Sequence, residues 1–193
     1  MGYDENVERV RLQLPGKSYE AVIQPGLLNS AAEHITPIAG AGHKCFIVTV
    51  SNVRKAWEKP LADSLKATNL EAHWLEMRDG ERYKTLSAIE ELANRMIKLG
   101  ADRESLLMAF GGGVVCDAGG LLASLYMRGI ALVQVPTTFL AQVDAAIGGK
   151  TGVNLTAGKN LIGTFYQPKA VLVVPSRRRA KVAHPEDRVS GCR

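Results

Sequence analysis

Apolar and polar residues alternate along the first part of the chain. Residues 7–14 alternate in this way, and so do residues 19–23. Alternation with a period of two is typical of strands that bury one face. Pro15 and Gly16 lie between the two segments and favour a turn. The pattern therefore predicts an antiparallel strand pair, followed by a helix over residues 27–38, where the apolar spacing is helical.

From residue 45 onward, short apolar runs alternate with amphipathic segments. The apolar runs predict buried strands at residues 45–50, 71–77, 106–110, 130–135 and 170–174. The amphipathic segments predict helices at residues 52–67, 85–99 and 114–126, with a further helix opening at residues 136–138. Strands separated by helices of this length pair in parallel through right-handed crossovers. The predicted fold class is therefore α/β, a Rossmann-like layer sandwich.

Composition excludes several classes of protein. The chain has 193 residues, of which 46% are hydrophobic and 22% charged, as in a soluble globular domain. No apolar run approaches the roughly 20 residues that span a bilayer, and the polar N-terminus is not a secretory signal. Cys45, Cys116 and Cys192 are far apart, which favours a reducing compartment over disulfides or a zinc knuckle. We therefore expect a cytoplasmic protein with no membrane partner.

The net charge of +5 is concentrated at one end of the chain. Residues 175–193 carry most of it, because Arg and Lys far outnumber Asp and Glu there. A nucleic-acid-binding protein should instead carry its positive charge along a folded face. The charge distribution therefore argues against a nucleic-acid partner.

A glycine turn is the first candidate binding motif. Gly111, Gly112 and Gly113 connect the strand predicted at 106–110 to the next helix. Glycines allow close approach of a ligand, and a helix N-terminus offers free N–H groups to a phosphate. Cys116 occupies the sixth position of the dinucleotide-binding GxGxxG pattern, so the match to that pattern is broken. A tight turn without a ligand stays open as the alternative.

Two further polar clusters follow predicted strands. Residues 134–167 combine glycines with isolated lysines, which suits an anionic ligand. A P-loop is excluded, because Asp144 stands where that motif needs its first glycine. The second cluster, residues 79–84, precedes a helix. Ligands bind at the carboxyl ends of strands in open α/β sheets, so all three motifs predict one site. The alternatives are a solvated loop and, at residues 79–84, a simple turn with Lys84 on the surface.

Taken together, these motifs resemble the 3-dehydroquinate synthase family. The matching segments are Asp-Gly-Glu-x-Tyr-Lys at 79–84, Gly-Gly-Gly-Val-Val-x-Asp at 111–117, Tyr-Met-Arg-Gly at 126–129, Gln-Val-Pro-Thr-Thr-x-Leu-Ala-Gln-Val-Asp at 134–144, Gly-Gly-Lys-Thr-x-Val-Asn at 148–154 and Gly-Lys-Asn-x-Ile-Gly-x-Phe-Tyr-Gln-Pro at 158–168. The resemblance covers about residues 7–174. It implies the Rossmann-like NAD-binding domain of that family, so residues 1–174 are expected to form this domain.

The resemblance also implies an activity. Members of the family are cyclases that convert the seven-carbon keto-acid phosphate DAHP, a small-molecule substrate, into 3-dehydroquinate with loss of phosphate. NAD is used catalytically in this reaction of the shikimate pathway, since it takes a hydride from the substrate and later returns it. A divalent metal, zinc or cobalt, polarises the substrate. Family members are often homodimers.

Site residues follow from the resemblance by position. The resemblance implies that NAD contacts Asn52 near the adenosine and Thr137 and Thr138 towards the nicotinamide. It also implies NAD contacts along two continuous segments, which are Asp79, Gly80, Glu81, Arg82, Tyr83 and Lys84, and Gly112, Gly113, Val114, Val115, Cys116 and Asp117. Within the second segment, the residues from Gly113 onward are implied to hold the pyrophosphate. Lys150 and Lys159 are implied to line the NAD and substrate pocket, while Asp144 and Asn160 bind substrate hydroxyls. Arg128 is implied to bind the substrate phosphate through its guanidinium group.

The sequence departs from the family at four places, of which the mildest is Ala145-Ala146 in place of a Ser pair. Val50 stands where many members carry an Asp that binds the adenosine ribose, so NAD binding is expected to weaken. Cys116 replaces a glycine. After Val174 the family continues into an all-helical metal-binding domain, which we expect to be absent here, because residues 175–193 form a divergent basic tail. Either the tail is out of frame, which its sudden arginine enrichment favours, or the chain ends just before the metal-binding Glu.

These departures affect the expected activity. The four histidines are scattered, so no metal site is predicted. The chain alone is expected to bind NAD weakly at most, to expose an apolar surface and not to turn over. Three alternatives remain: another NAD-dependent sugar-phosphate cyclase of the aminocyclitol type, a metal-dependent glycerol or alcohol dehydrogenase, and a non-catalytic fragment that binds nucleotide or a partner subunit.

Overall fold

The computed structural model describes residues 7–14, 17–39 and 43–175 of the chain. In chain order the strands are β1 (Glu8–Leu14), β2 (Lys17–Ile23), β3 (Lys44–Val50), β4 (Glu71–Met77), β5 (Leu106–Gly111), β6 (Ala131–Pro136), β7 (Lys150–Leu155), β8 (Gly158–Phe165) and β9 (Ala170–Val173). The α-helices are α1 (Ala31–Ala39), α2 (Ser51–Lys66), α3 (Leu86–Lys98) and α4 (Gly113–Leu125). Of the helices in these residues, none is long and apolar enough to cross a membrane.

Seven strands form one sheet in the order β1-β2-β9-β6-β5-β3-β4. β1 and β2 pair antiparallel, and the other neighbouring strands pair in parallel. In β5, Met108 pairs with Ile47 of β3 and with Val133 of β6. The antiparallel start and the Rossmann-like α/β sheet are thus confirmed. The turn predicted at Pro15 and Gly16 lies outside the described residues, and so do residues 176–193 of the predicted basic tail.

Both faces of the parallel strands are buried, which explains why their sequences are continuously apolar. Phe46 and Val48 of β3 face α3 and α4, where they join a core that includes Leu92. Cys45 and Ile47 point to the other face, together with residues of α1 and α2. The sheet therefore separates two apolar layers, and the predicted layer sandwich is confirmed.

Two predicted helices differ from the structure in detail. Residues 27–38 form a 3-10 turn at Leu27–Asn29 and then α1, because Ser30 between them has a non-helical φ of −119°. The helix predicted to open at residues 136–138 is only a short segment that ends in a π-helical turn at Ala141–Ala145. Gly148 and Gly149 follow with φ values of 85° and 70°, a left-handed conformation that turns the chain away.

The hairpin of β7 and β8 was not predicted from the sequence. These strands pair antiparallel and form a separate two-stranded sheet. The hairpin packs against α4, where a Cβ atom at Gly120 would lie 2.6 Å from Cγ2 of Thr151. The alternative of a solvated loop over residues 134–167 is therefore wrong for this part, because the glycines permit close packing on the helix.

Helix α4 also lies very close to the central strand. A Cβ atom at Gly119 would lie 2.7 Å from Cβ of Ala109, and Ala109 is fully buried in β5. Neither Gly119 nor Gly120 leaves room for a side chain, so these two glycines fix the distance of α4 from the sheet and the hairpin. The same close approach fixes where the N-terminus of α4 emerges at the sheet edge.

We expect Gly119→Ala to destabilise the fold, although alanine in a helix interior ordinarily adds about 1 kcal/mol relative to glycine. The new methyl group meets the fixed Cβ of Ala109, and overpacking of a tight core costs roughly 1–3 kcal/mol. The measurement is the free energy of unfolding from urea denaturation. Gly113→Ala is the matched control, since its Cβ would meet only Cβ of Ala145 at 3.7 Å. A Gly119→Ala variant as stable as this control contradicts the packing argument.

Candidate functional site

Four parallel strands end at the same edge of the sheet, and the three predicted motifs follow three of them. The glycine turn follows β5, residues 79–84 follow β4, and residues 137–145 follow β6. The fourth strand, β3, leads directly into α2 with Asn52 in its first turn. The carboxyl edge therefore brings together most of the residues that the sequence predicts as site residues.

Residues 137–138 lie close to the glycine turn. Helix α4 begins at Gly113 after Gly112, and the first N–H groups of a helix lack intrahelical acceptors. A Cβ atom at Gly112 would lie 3.3 Å from Cγ2 of Thr138. The N–H of Thr137 donates to the carbonyl oxygen of Gly111 at 2.9 Å, which ties β6 to the turn. These residues fit a phosphate-bearing cofactor, because Gly112 and Gly113 add no side chains of their own beside the free N–H groups at the start of α4.

The side chains of the first two turns of α4 divide between core and site. Val115 is buried, and Val114 is packed against the same core. Only the backbone of these two valines can contact a ligand at this edge. Asp117 instead lines a cavity at the sheet edge.

Cys116 does not disturb the turn. Its side chain is fully buried in a small core with Tyr19 and Ala141, and burial raises the pKa of its thiol. Its carbonyl oxygen accepts a hydrogen bond from Nε2 of Gln134 at 3.1 Å. Cys116 thus lies inside helix α4, where its side chain packs in the core with Tyr19 and Ala141.

Lys84 is the centre of a buried polar cluster. Only 2% of the residue is exposed, so the alternative of a simple turn with Lys84 on the surface is wrong. Its Nζ lies 2.8 Å from Oδ2 of Asp117, 2.6 Å from Oδ1 of Asn160 and 3.2 Å from Oε1 of Glu81. The hairpin, unpredicted from the sequence, covers Lys84 and supplies one of its partners.

Asn154 completes this cluster and was missed by the sequence analysis. Its Nδ2 donates to Oε1 of Glu81 at 2.8 Å, and its N–H donates to the carbonyl oxygen of Lys84 at 2.9 Å. Its Oδ1 accepts from the N–H of Asn160 at 2.9 Å. The motif that includes Asn154 was recognised, but its partners could not be inferred without the pairing of β7 and β8.

Environment moves the pKa values of the two acids in opposite directions. Burial raises the pKa of Asp117, although the ammonium group of Lys84 opposes this shift. The hydrogen bond from Asn154 holds the pKa of Glu81 below its usual value, and Lys84 adds to this effect. The two carboxylates that contact one lysine therefore differ in acidity because one is desolvated and the other is more exposed.

A cavity of about 480 Å³ lies next to this cluster. It brings together three of the four residues predicted as catalytic, Asp144, Lys150 and Asn160, and adds Asp117 and Thr164. The cavity offers carboxylate, ammonium, amide and hydroxyl groups, which can bind a hydroxylated anion. Lys159 lines a neighbouring cavity on the Glu81 side instead.

A second cavity, of about 900 Å³, lies at the ends of β3 and β4. It is lined by the predicted cofactor residues Asn52, Asp79, Arg82 and Tyr83, and also by residues that the sequence did not single out, Lys55, Glu76 and Glu91. Nδ2 of Asn52 donates to Oδ2 of Asp79 at 3.2 Å. Gly80 has a φ of 109°, a value that favours glycine, at the turn into the 3-10 helix Glu81–Tyr83. Val50 is buried at the start of α2 and presents no polar group to this cavity.

Arg128 lies apart from these two cavities. It follows the C-terminal end of α4, which is about 20 Å from the glycine turn because a helix rises about 1.5 Å per residue. Its φ of 69° is left-handed. Arg128 is not among the residues that line either cavity, and its role towards a substrate phosphate stays a prediction.

Comparison with known proteins identifies the family to which this chain belongs. A family model described as 3-dehydroquinate synthase N-terminal matches residues 74–180, which is more than half of the chain. The chain belongs to the 3-dehydroquinate synthase family. The predicted resemblance is confirmed, and the alternative of a glycerol or alcohol dehydrogenase is excluded by this membership.

Individual relatives cover most of this chain and about half of their own length. The 3-dehydroquinate synthase of Koribacter versatilis (strain Ellin345) is 48% identical over 169 residues, which are 88% of this chain and 46% of that protein. A 2-deoxy-scyllo-inosose synthase solved with carbaglucose-6-phosphate, NAD+ and Co2+ is 33% identical with a TM-score of 0.79, covering 86% of this chain and 44% of its own. A 2-epi-5-epi-valiolone synthase from Streptomyces hygroscopicus subsp. jinggangensis 5008 was solved with NAD+ and Zn2+. It is 34% identical with a TM-score of 0.74, and the match covers 85% of this chain and 45% of the synthase.

Several large apolar side chains are exposed within the segment of residues 139–165. Phe139, Leu140 and Val143 of the segment after β6 are exposed, and so are Leu161 and Phe165 of β8. The expected apolar surface is thus present. In the described ranges no group of three His, Cys, Asp or Glu residues is arranged to hold a metal ion, so these residues do not fit the divalent metal that the resemblance implies.

We expect the pKa of Asp117 to lie above the ordinary aspartate value and the pKa of Glu81 to lie below the ordinary glutamate value. The cause is burial at Asp117 and the hydrogen bond from Asn154 at Glu81. The measurement is a pH titration followed by the carboxyl carbon NMR signals. Asp102, whose pKa is lowered by the hydroxyl of Ser105, is the internal control.

The two shifts also have opposite signs for stability. Glu81 stabilises the fold above the ordinary glutamate pKa, and this contribution is lost as the pH falls through its lowered value. Asp117 contributes stability below the ordinary aspartate pKa, and this contribution is lost as the pH rises through its raised value. A titration midpoint for Asp117 at or below the ordinary aspartate value contradicts the first assignment, and a midpoint for Glu81 at or above the ordinary glutamate value contradicts the second.

Proposed function

We propose that this chain is the cofactor-binding part of a 3-dehydroquinate synthase, a lyase that converts DAHP to 3-dehydroquinate and phosphate. The observation that carries the proposal is the carboxyl edge of the sheet. There the free start of α4 lies between a cavity with the predicted adenosine residues and a cavity with Asp144, Lys150 and Asn160. Family membership supports the reaction, and the shared identity with curated synthases supports it over other chemistries.

In this proposal NAD extends along the edge from one cavity to the other. Asn52 and Asp79 hold its adenosine end, and the N–H groups of Gly113 and Val114 hold the pyrophosphate, since a helix N-terminus favours negative charge. Thr138 faces the glycine turn from β6 and lies on the side of the nicotinamide. When bound, NAD supplies a temporary acceptor for a hydride. NAD+ in the two solved cyclases supports the choice of cofactor.

The substrate is placed in the cavity next to Lys84. Asp144 and Asn160 offer a carboxylate and an amide for hydroxyl groups. Lys150, which is exposed at the start of β7, offers a positive charge to the anionic substrate. Each of these residues comes from a different part of the segment after β6, so the π-helical turn and the hairpin together shape this cavity.

A second candidate is another sugar-phosphate cyclase, which the similarity to 2-deoxy-scyllo-inosose synthase favours. Both candidates use the same cofactor edge, so the substrate distinguishes them. We expect the NAD-loaded protein to bind DAHP and not carbaglucose-6-phosphate when each is titrated calorimetrically. Binding of carbaglucose-6-phosphate alone favours the second candidate. NAD binding with neither ligand bound favours a non-catalytic nucleotide-binding role.

We expect NAD to bind this chain with one site, and Asp79→Ala to weaken the affinity about tenfold, a loss of about 1.4 kcal/mol. Asp79 is the carboxylate that accepts from Asn52 in the adenosine cavity. Its removal takes away a ligand contact and releases Asn52. The measurement is isothermal titration calorimetry of both proteins at one salt concentration.

Asp63→Ala is the matched control for this experiment. Asp63 is an aspartate of α2 whose carboxylate contacts only Lys59 and Lys66 on the exposed face of the helix. Its loss should leave the affinity for NAD unchanged. Equal affinities of the Asp79→Ala and wild-type chains would place the adenosine elsewhere, and no heat of binding from the wild-type chain would overturn the proposed cofactor role.

A further inference from the structure

Tyr19 packs against the segment that connects the cavity residues Asp144 and Lys150. It belongs to β2, in the first hairpin of the chain, and only 4% of it is exposed. Its side chain shares a small core with Ala141 and Ala146, the first residue of the π-helical turn and the residue after its end. A strand near the start of the chain therefore supports a segment that follows it at a great distance in sequence.

The π-helical turn divides its side chains between Tyr19 and the cavity. Ala141 and Ala146 are buried, whereas Asp144 is exposed and lines the cavity of about 480 Å³. Tyr19 is not among the residues that line this cavity. Its ring therefore supports the turn through the buried alanines and leaves Asp144 facing the cavity.

The hydroxyl group of Tyr19 binds the chain just before Lys150. It accepts a hydrogen bond from the backbone N–H of Gly148 at 3.2 Å, across a sequence separation of 129 residues. Gly148 and Gly149 have left-handed φ values of 85° and 70°. Glycine has more conformational freedom to lose on folding than any other residue. Contacts from outside the two glycines are therefore needed to hold them in one conformation.

Two further contacts hold the same pair of glycines, and both come from residues that follow β8. Nε2 of Gln167 donates to the carbonyl oxygen of Gly148 at 3.1 Å, and the N–H of Tyr166 donates to the carbonyl oxygen of Gly149 at 2.7 Å. These contacts bind carbonyl oxygens, whereas Tyr19 binds an N–H group. Tyr19 also ties the glycines to the main sheet, since β2 pairs with β9 in that sheet.

We propose that Tyr19 is a positioning residue, which holds Asp144 and Lys150 in place for the substrate by fixing the segment between them. The roles of Asp144 and Lys150 in this statement rest on the proposed function, whereas the contact of Tyr19 with Gly148 rests on the geometry alone. Groups that bind a ligand must be held within about 0.5 Å of their productive positions. A loosened segment should therefore weaken substrate binding.

Tyr19→Phe removes only the hydroxyl group and keeps the ring in its core. Ser64→Ala is the matched control, because the hydroxyl group of Ser64 also accepts from a buried backbone N–H, that of Ala32 at 3.0 Å. Ser64 lies near the end of α2 and lines neither of the two cavities. Each variant thus loses one hydrogen bond of the same kind, and only Tyr19→Phe loses it beside the substrate cavity.

The contact is tested by amide hydrogen exchange followed by NMR. In the wild type we expect the N–H of Gly148 to be protected, although it lies in a turn. Its exchange should become about fivefold faster in Tyr19→Phe, since a neutral hydrogen bond contributes on the order of such a factor, and should stay unchanged in Ser64→Ala. An unprotected Gly148 amide in the wild type overturns the proposal without any variant, and so does equal exchange in the wild type and Tyr19→Phe.

The substrate part is tested by calorimetric titration of NAD, and then of DAHP into the NAD-loaded protein. We expect Tyr19→Phe to weaken the affinity for DAHP about fivefold and to leave the affinity for NAD nearly unchanged, because residues 148–150 do not line the adenosine cavity. Ser64→Ala should bind both ligands as the wild type does.

Two results of this titration overturn the proposal. One is an unchanged affinity of Tyr19→Phe for DAHP, and the other is an equal loss of affinity for both ligands, which a general loosening of the fold would produce. Absence of DAHP binding in the wild type overturns the proposed function and the substrate part with it. The exchange at Gly148 then decides by itself whether Tyr19 holds the segment.

Discussion

The contact between the Lys84 ammonium group and the Asp117 carboxylate is the interaction on which the site depends. Both groups are largely buried, so neither would be tolerated there without the other. Satisfying Lys84 requires acceptors from a turn, a helix and a hairpin at once. The need to solvate one charge by protein groups therefore sets the relative positions of three segments that are distant in sequence.

Close packing provides the second constraint. Gly119 and Gly120 let α4 approach β5 on one side and β7 on another. Without this approach the N-terminus of α4 and the hairpin could not share the edge at which Asp117 faces Asn160. The glycines in the middle of the helix thus serve the site as much as those in the turn before it, which carry the recognisable pattern.

The main sheet could be predicted from the sequence because its central strands are buried on both faces and its helices are amphipathic. The strands therefore appear as short apolar runs, and the helices as segments with helical spacing of apolar residues. The hairpin could not be predicted, because β8 is mostly exposed and rich in polar residues and glycine. The site was predictable as a set of segments, since the carboxyl ends of parallel strands converge. The burial of Lys84 and the part played by Asn154 were not predictable, because both depend on the hairpin.

The position of β9 has a consequence for how the molecule is assembled. β9 lies between β2 and β6, and Val22 of β2 pairs with Leu172 of β9. The first hairpin of the chain therefore has no place in the sheet until the last described strand has been made. During synthesis the β1–β2 hairpin stays unpaired, with apolar residues of β2 uncovered, while the rest of the sheet forms around β5. Contacts of such high sequence separation slow folding, and an uncovered strand invites association with other chains. Pairing of β9 with β2 therefore determines how long β2 stays exposed to such association.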